Sequence, residues 1–392
     1  MSIRASRTTA VALVTAAAFA DILAYSIAVP VLPDLSRRLG ASPTTIGFLF
    51  ASFGVSVLMT SVPMGSMSDR MGRRGPLLAG AVVLAVSTLI FAFAETLPWL
   101  FAARLVQGAA DAVTWVVGFA LIADLYNAEE RGRVMGLVMS GTTVGFLIGP
   151  TLGGWLYESG GPQLPYLFVA ALSAACAAGF AWMQLPPHQG EAEPVRLLAL
   201  LRVREVAICA LTVVLGGGTL AMVEPTLSLF LGGEIGLGPT RIGLVIGCGA
   251  LVSATLHPTF GRIADRIGGR RLMLAGLAGI AVMLPVLSMI ATFTSGAIIY
   301  ALFTVPIVMM VTPSLAYMAD ATSASGVRSF GVAYGVYNCA WALGLLVGPS
   351  IGGAVYDREG FDVLMWAWAA ALLPITLFLA RAGARRPARA EV

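Results

Sequence analysis

The sequence predicts an all-α membrane protein of twelve transmembrane helices arranged in two six-helix halves. Three observations predict it. Apolar runs near the roughly 20 residues that cross about 30 Å of hydrocarbon recur along the chain. Of its 392 residues 58% are hydrophobic and only 11% charged, whereas soluble globular domains carry about 25% charge. The decapeptide Gly65-Ser-Met-Ser-Asp-Arg-Met-Gly-Arg-Arg74 returns as Gly261-Arg-Ile-Ala-Asp-Arg-Ile-Gly-Gly-Arg270, which puts Asp69 and Asp265 196 residues apart. A second element, Gly149-Pro150-Thr-Leu-Gly153-Gly154, returns as Gly348-Pro349-Ser-Ile-Gly352-Gly353 at an offset of 199. Two unrelated motifs at nearly one offset mark two copies of one unit, and in so apolar a chain they point to a site between the copies.

The spans are read in order as 10–33, 44–64, 76–94, 98–123, 133–156, 163–184, 206–231, 240–260, 271–291, 295–319, 329–355 and 361–381. The start resembles a secretory leader, with Arg4 and Arg7 before an apolar stretch and Ala18-Phe-Ala20 as a cleavage site. The apolar run nevertheless continues to Leu32, and cleavage would remove the first member of a repeated unit, so a retained helix is expected. The one long connection contains Pro186, Pro187 and Pro194. It divides the chain into an N-terminal half (1–185), a linker (186–205) and a C-terminal half with a basic tail (206–392). Within the linker, Val195–Arg204 alternates apolar and basic residues and suits a membrane surface as well as a solvated helix.

All 24 basic residues are arginine. Nineteen fall at the N-terminus, in the loops after even-numbered spans and in the C-terminal tail; Arg37, Arg38, Arg241 and Arg358 lie on the other side, and Arg104 within span 4. By the positive-inside rule both termini are cytoplasmic. A multi-pass protein of the inner (plasma) membrane is expected, with the lipid bilayer and not nucleic acid as the partner of this basicity. The cysteines (Cys176, Cys209, Cys248 and Cys339) are scattered without ligand spacing and read as small core residues. No nucleotide loop, metal cluster or nucleophile–base arrangement is legible, and His188 and His257 are isolated. The expectation is no enzyme, no metal and no cofactor, with energy drawn from an ion gradient.

Three carboxylates lie inside spans: Asp21, Asp111 and Glu224. An ionised carboxylate at the helix centre costs at least about 2.5 kcal/mol, so such groups usually face a cavity or a partner. Asp21 sits mid-span, with Tyr25 one turn on along the same face. Glu224 stands at the matching place in the second half, followed by Pro225 and preceded by Gly216-Gly217-Gly218, which would weaken span 7 on both sides of the charge. Span 4 carries the polar stripe Arg104, Gln107, Gly108, Asp111, Trp115 and Gly118 on one helical face. Two turns, roughly 10 Å, separate Arg104 from Asp111, so the expected counter-charge of Arg104 is a carboxylate of another helix, Asp21 first. Tyr334, Tyr337, Asn338 and Trp341 form one face of span 11. That face suits a flat, amine-bearing substrate through cation–π contacts and hydrogen bonds, and suits interhelical packing equally.

The loop motif (Gly65, Asp69, Arg70, Gly72, Arg73; Gly261, Asp265, Arg266) reads as mechanical. Its glycines permit close approach, its aspartates are expected to cap a neighbouring helix's N-terminus, and its arginines to meet helix carboxyl ends or anionic lipid. Gly145, Gly149, Gly153 and Gly154 thin span 5 so that it slides against the other half, and Pro150 allows a bend.

Together these motifs resemble the major facilitator superfamily, and Gly141-x3-Gly145-x3-Gly149-Pro150-x2-Gly153-Gly154 resembles the signature of its twelve-helix drug:proton antiporter branch. Within that branch Asp21 before Val29-Pro-Val-Leu-Pro33, and Ala221-Met-Val-Glu224-Pro225, are most similar to the vesicular monoamine transporters and their bacterial relatives. The resemblance implies a role for Arg104 in proton coupling. It also exposes departures. Asn338 stands where an Asp is expected, span 10 around Val308 lacks an acidic residue, and Phe53 replaces a Lys. Taken together, the sequence leads us to expect a proton-coupled antiporter that exports small amphipathic, cationic compounds by alternating access, functional as a monomer. The alternatives are a proton symporter or facilitator for a small metabolite and, in another class, a non-transporting membrane scaffold or sensor.

Overall fold

A computed structural model describes residues 3–4, 7–184, 200–325 and 330–382. The spans form as Pro43–Met71, Arg74–Phe93, Leu97–Leu125, Ala128–Gly160 and Leu164–Trp182 (spans 2 to 6), and as Arg204–Gly233, Pro239–Ile267, Gly269–Leu287 and Phe293–Ala324 (spans 7 to 10). Spans 11 and 12 run together over Phe330–Ala382 and are divided at Gly360. Ile3–Arg4 pairs in parallel with Met183–Gln184 beyond span 6, a two-residue exception to the all-helical architecture. Most of the linker (186–199) and the basic tail beyond Ala382 lie outside the described residues.

Local chemistry sets the boundaries. Spans 2, 4, 6 and 8 open with proline in the first turn, where the missing N–H and fixed φ are an advantage. Ser42 caps span 2 by accepting from the Thr45 amide at 3.3 Å, and Thr292 and Ser295 form a capping box ahead of span 10. Six glycines among the described residues have left-handed φ: Gly40, Gly72, Gly161, Gly236, Gly268 and Gly360. They are three pairs at the motif offsets of 196, 196 and 199, so the duplication is written into the backbone.

Span 1 departs from the expected run of 10–33. Its helix, Arg7–Ser26, gives way to a 3₁₀ turn at Val29–Val31 and resumes as Leu32–Leu39. Pro30 and Pro33 remove two backbone donors there. Span 7 departs in the opposite sense, because Arg204–Gly233 is helical through both Gly216–Gly218 and Pro225. Its glycines are packing surfaces: a Cβ at Gly217 would lie 3.0 Å from the Trp341 ring, and one at Gly218 would lie 3.3 Å from the Gly344 carbonyl.

Met59, Phe93, Trp99, Trp366 and Phe378 point outward and are largely exposed, as a bilayer-facing surface requires. The halves meet through two equivalent crossings at the arginine-poor end. Gly243 of span 8 lies against the Pro150 carbonyl of span 5, and Gly47 of span 2 lies against the Pro349 carbonyl of span 11. Gly154 meets Pro239 and Gly353 meets Pro43 in the same way. Toward the arginine-rich end span 8 stands apart, with no buried residue over 250–267. There Phe119 of span 4 and Tyr334 of span 11 bridge the seam, ring centroids 4.9 Å apart.

Candidate functional site

The intramembrane carboxylates fall into two clusters. In the first, Asp21 of span 1 is 2% exposed. Its Oδ2 accepts from the Trp115 indole at 3.1 Å, and the carboxyl of Asp111 lies against the same side chain. Asp21 Oδ1 is buried and has no hydrogen-bond donor among the described residues. Asp21 is buried and Asp111 half-buried, and two carboxylates in contact with so little water repel one another unless a proton or a cation lies between them. Tyr334 reaches this cluster from the other half, close enough to Asp111 to feel its charge.

The second cluster straddles the seam. Glu224 of span 7 is 7% exposed, with the Tyr25 hydroxyl directed at its carboxylate and Tyr300 of span 10 within electrostatic reach. Tyr25 is itself held between Phe50 and Phe53, with ring centroids at 5.8 and 5.7 Å. Phe53 thus serves as a wall for Tyr25.

Arg104 corrects a sequence expectation. It is not the counter-charge of Asp21. Fully buried, it donates from Nη1 to Gln107 Oε1 at 2.8 Å, and its guanidinium sits 4.5 Å from the Phe50 ring centroid, 5.1 Å from Phe91 and 5.7 Å from Tyr25. Nε and Nη2 have no partner among the described residues. The reason is height along the helix. Asp21 is level with Asp111 and Trp115, two turns from Arg104, whereas Tyr25 is one turn nearer and supplies an aromatic face.

The span 11 face is only partly brought to the site. Tyr334 packs on Phe119, Asn338 Nδ2 donates to Ser61 Oγ at 3.1 Å, and Tyr337 shares a 3.1 Å hydrogen bond with Ser314. Trp341 stacks with Tyr337, rings 12° apart, and rests on Gly217. Four side chains on one face therefore reach four different spans, which is the interhelical-packing alternative of the two that the sequence left open. Tyr300 was missed by the sequence reading, since a lone tyrosine in an apolar span carries no periodic signal.

The mechanical motifs are corrected in detail. Among the described residues Asp69 pairs with Arg73 at 2.5 Å, and Arg73 also donates to Asp124 Oδ2 at 2.8 Å and to Ser68. Asp265 makes no ion pair among the described residues, because Gly269 occupies the position equivalent to Arg73. Arginines do meet helix carboxyl ends. Arg74 donates to the carbonyls of Phe180 and Ala181 at the end of span 6, and Arg270 to Leu379 at the end of span 12. On span 5, a Cβ at Gly145 or Gly149 would meet Ile22 or Ser26, and one at Gly153 would lie 2.7 Å from Ile27 Cα. Those three glycines seat the broken span 1 of their own half, whereas Pro150 and Gly154 face the other half.

Twelve helices in two matched halves around buried, seam-lining carboxylates define a multi-pass membrane protein of the transporter type. The model of the Major Facilitator Superfamily matches residues 14–329 and 209–391, and the chain belongs to that superfamily. It is 28% identical to the chromaffin granule amine transporter of Rattus norvegicus over 330 residues, 82% of this chain and 62% of that protein. With the synaptic vesicular amine transporter of Homo sapiens it shares 29% over 346 residues, 85% of this chain and 65% of the other. The chain thus spans just under two thirds of these relatives. Multidrug resistance protein 2 of Bacillus subtilis is 26% identical over 357 residues, 86% of each chain. Among solved structures, an inward-facing, occupied bacterial homologue of the human lysosomal transporter Spinster superposes with a TM-score of 0.81 over 96% of both chains at 15% identity. The nucleoside transporter NupG gives 0.78 over 96% of this chain and all of the other at 13% identity. At these identities the likeness is one of fold.

Proposed function

We propose that the protein is a proton-coupled antiporter that exports small amphipathic, cationic compounds across the inner membrane by alternating access. The observation that carries this reading is the Asp21–Asp111 contact beside an orphaned Asp21 oxygen. A proton or a cation placed there relieves the repulsion, and each excludes the other, which is the elementary requirement of exchange. Glu224 offers a second acidic place beside Tyr25, where a cationic head finds a carboxylate and an aromatic ring together. Relatives bearing the names of amine transporters and of a multidrug resistance protein support the same substrate class.

The remaining elements follow from this reading. With the arginine-rich end in the cytoplasm, both termini are cytoplasmic and the crossings of spans 2 with 11 and 5 with 8 close the outer face. The monomer holds both carboxylate clusters and suffices for transport, and the proton gradient replaces any cofactor. The deciding experiment reconstitutes the purified protein in vesicles with a trapped pH dye and screens organic cations. A compound gradient is expected to drive protons in the opposite direction. Compound movement without proton movement, or with protons in the same direction, rejects antiport and leaves the facilitator or symporter.

A further inference from the structure

Beyond the glycine–proline crossings, each half ends its fifth helix with a tyrosine and a carboxylate: Tyr157-Glu158 on span 5 and Tyr356-Asp357 on span 11, at the same offset of 199. The tyrosine of each pair stays within its own half, Tyr157 donating to Asp34 and Tyr356 to Glu234. The carboxylate of each pair crosses the seam. Glu158 accepts from the Thr240 amide at 3.2 Å and from the Thr240 hydroxyl at 2.5 Å, in the first turn of span 8. Asp357 accepts from the Thr44 hydroxyl at 2.6 Å, in the first turn of span 2. Thr44 and Thr240 are themselves equivalents, 196 residues apart.

We propose that Glu158 and Asp357 are a duplicated latch: each is tethered through its neighbouring tyrosine to its own half and caps the first turn of a helix in the other, so that the pair holds the arginine-poor end of the transporter shut.

Several features make this arrangement act on the gate and not merely on helix stability. The caps run between halves, so the halves cannot separate at this end without breaking both. A carboxylate at a helix N-terminus meets free N–H groups and the positive end of the dipole, and loses both on separation. The Thr44 hydroxyl, followed by lesser contributions from Ser42 and Arg358, holds the Asp357 carboxyl below its ordinary value, so it is charged at neutral pH. Arg241 follows Thr240 directly in the first turn of span 8. Both contacts are solvent-exposed, so each is weak and reversible, as a gate that must open in every cycle requires. The inference does not depend on the substrate or the coupling ion.

The test measures the gate directly. Spin labels at Glu95→Cys and Ala291→Cys occupy equivalent exposed loops of the two halves at this end, in a background with the four native cysteines replaced by alanine. Distance distributions are recorded by pulsed electron resonance on the full-length protein in nanodiscs. Glu158→Gln or Asp357→Asn alone should raise the open-to-closed ratio about two- to fivefold, and the double variant by roughly the product. Thr44→Val with Thr240→Val should give a smaller shift in the same direction, since the backbone donors remain. A double variant that elutes as a folded monomer and keeps the parent distribution overturns the latch. So does a shift in the carboxylate variants with none in the threonine variants, which would assign the effect to general surface charge.

Discussion

At the residue scale, the site is a problem of placing charges without water. Asp21 is held by one indole hydrogen bond and otherwise faces Asp111. If its charge is exchanged for a proton and not locked in a static pair, Asp21→Asn should fold and express yet lose proton-driven accumulation in vesicles. Concentrative transport at the parent level would remove Asp21 from the coupling step. Glu224→Gln keeps the shape of its pocket and removes one charge. Affinity for a permanently charged ammonium compound should fall about tenfold or more, while its neutral carbon analogue should bind as before. Equal losses for the two compounds would make Glu224 a packing or gating residue. These carboxylates were legible in the sequence because an acid in an apolar span is conspicuous. Arg104 was legible as a residue but not in its partners, because helix heights are set by how spans 1 and 4 dock. Tyr300 had no signal at all.

At the element scale, glycine positions distinguish interfaces from open surfaces. Gly153 seats the broken end of span 1, where a Cβ would press on Ile27, whereas Gly136 of the same helix has nothing within 4 Å. Gly153→Ala should lower the thermal midpoint in detergent, since overpacking costs about 1–3 kcal/mol. Gly136→Ala should leave it unchanged or slightly raised, because alanine favours the helix. A similar midpoint for both would mean that spans 1 and 5 adjust freely. Helix positions and most turn positions could be read from apolar runs, prolines and glycines, whereas several helices run past the apolar core, as Pro43–Met71 does beyond the expected 44–64. The break at Val29–Val31 and the continuity of span 7 could not. Proline and glycine show where a helix is weak, but tertiary packing decides whether it breaks.

At the scale of the whole molecule, the duplication was plain in two motifs, and the backbone extends it to three glycine pairs and the paired arginine caps of spans 6 and 12. The sequence is silent on which end is closed; if the proposed alternating access holds, one sequence serves both states. The halves are also not identical. Arg73 ties Asp69 to Asp124 in the first, while Gly269 leaves the second without that tie. The network lies in a loop remote from the carboxylate clusters. Asp69→Asn should therefore slow turnover several-fold and leave the substrate dissociation constant within about twofold. Equilibrium binding in detergent beside vesicle transport checks this, and parallel losses would move the loop toward the site.

The indole hydrogen bond from Trp115 to Asp21 gives the protein a built-in optical probe. Indole emission responds to a charge at the ring nitrogen, and this ring donates to the carboxylate that faces Asp111. With the chain's six other tryptophans replaced by phenylalanine, Trp115 fluorescence should follow the filling and emptying of the acidic cluster. Titration with acid and with an organic cation should then move the same signal, and each should shift the midpoint of the other. That reciprocal shift reads competition at one place without any label, vesicle or gradient.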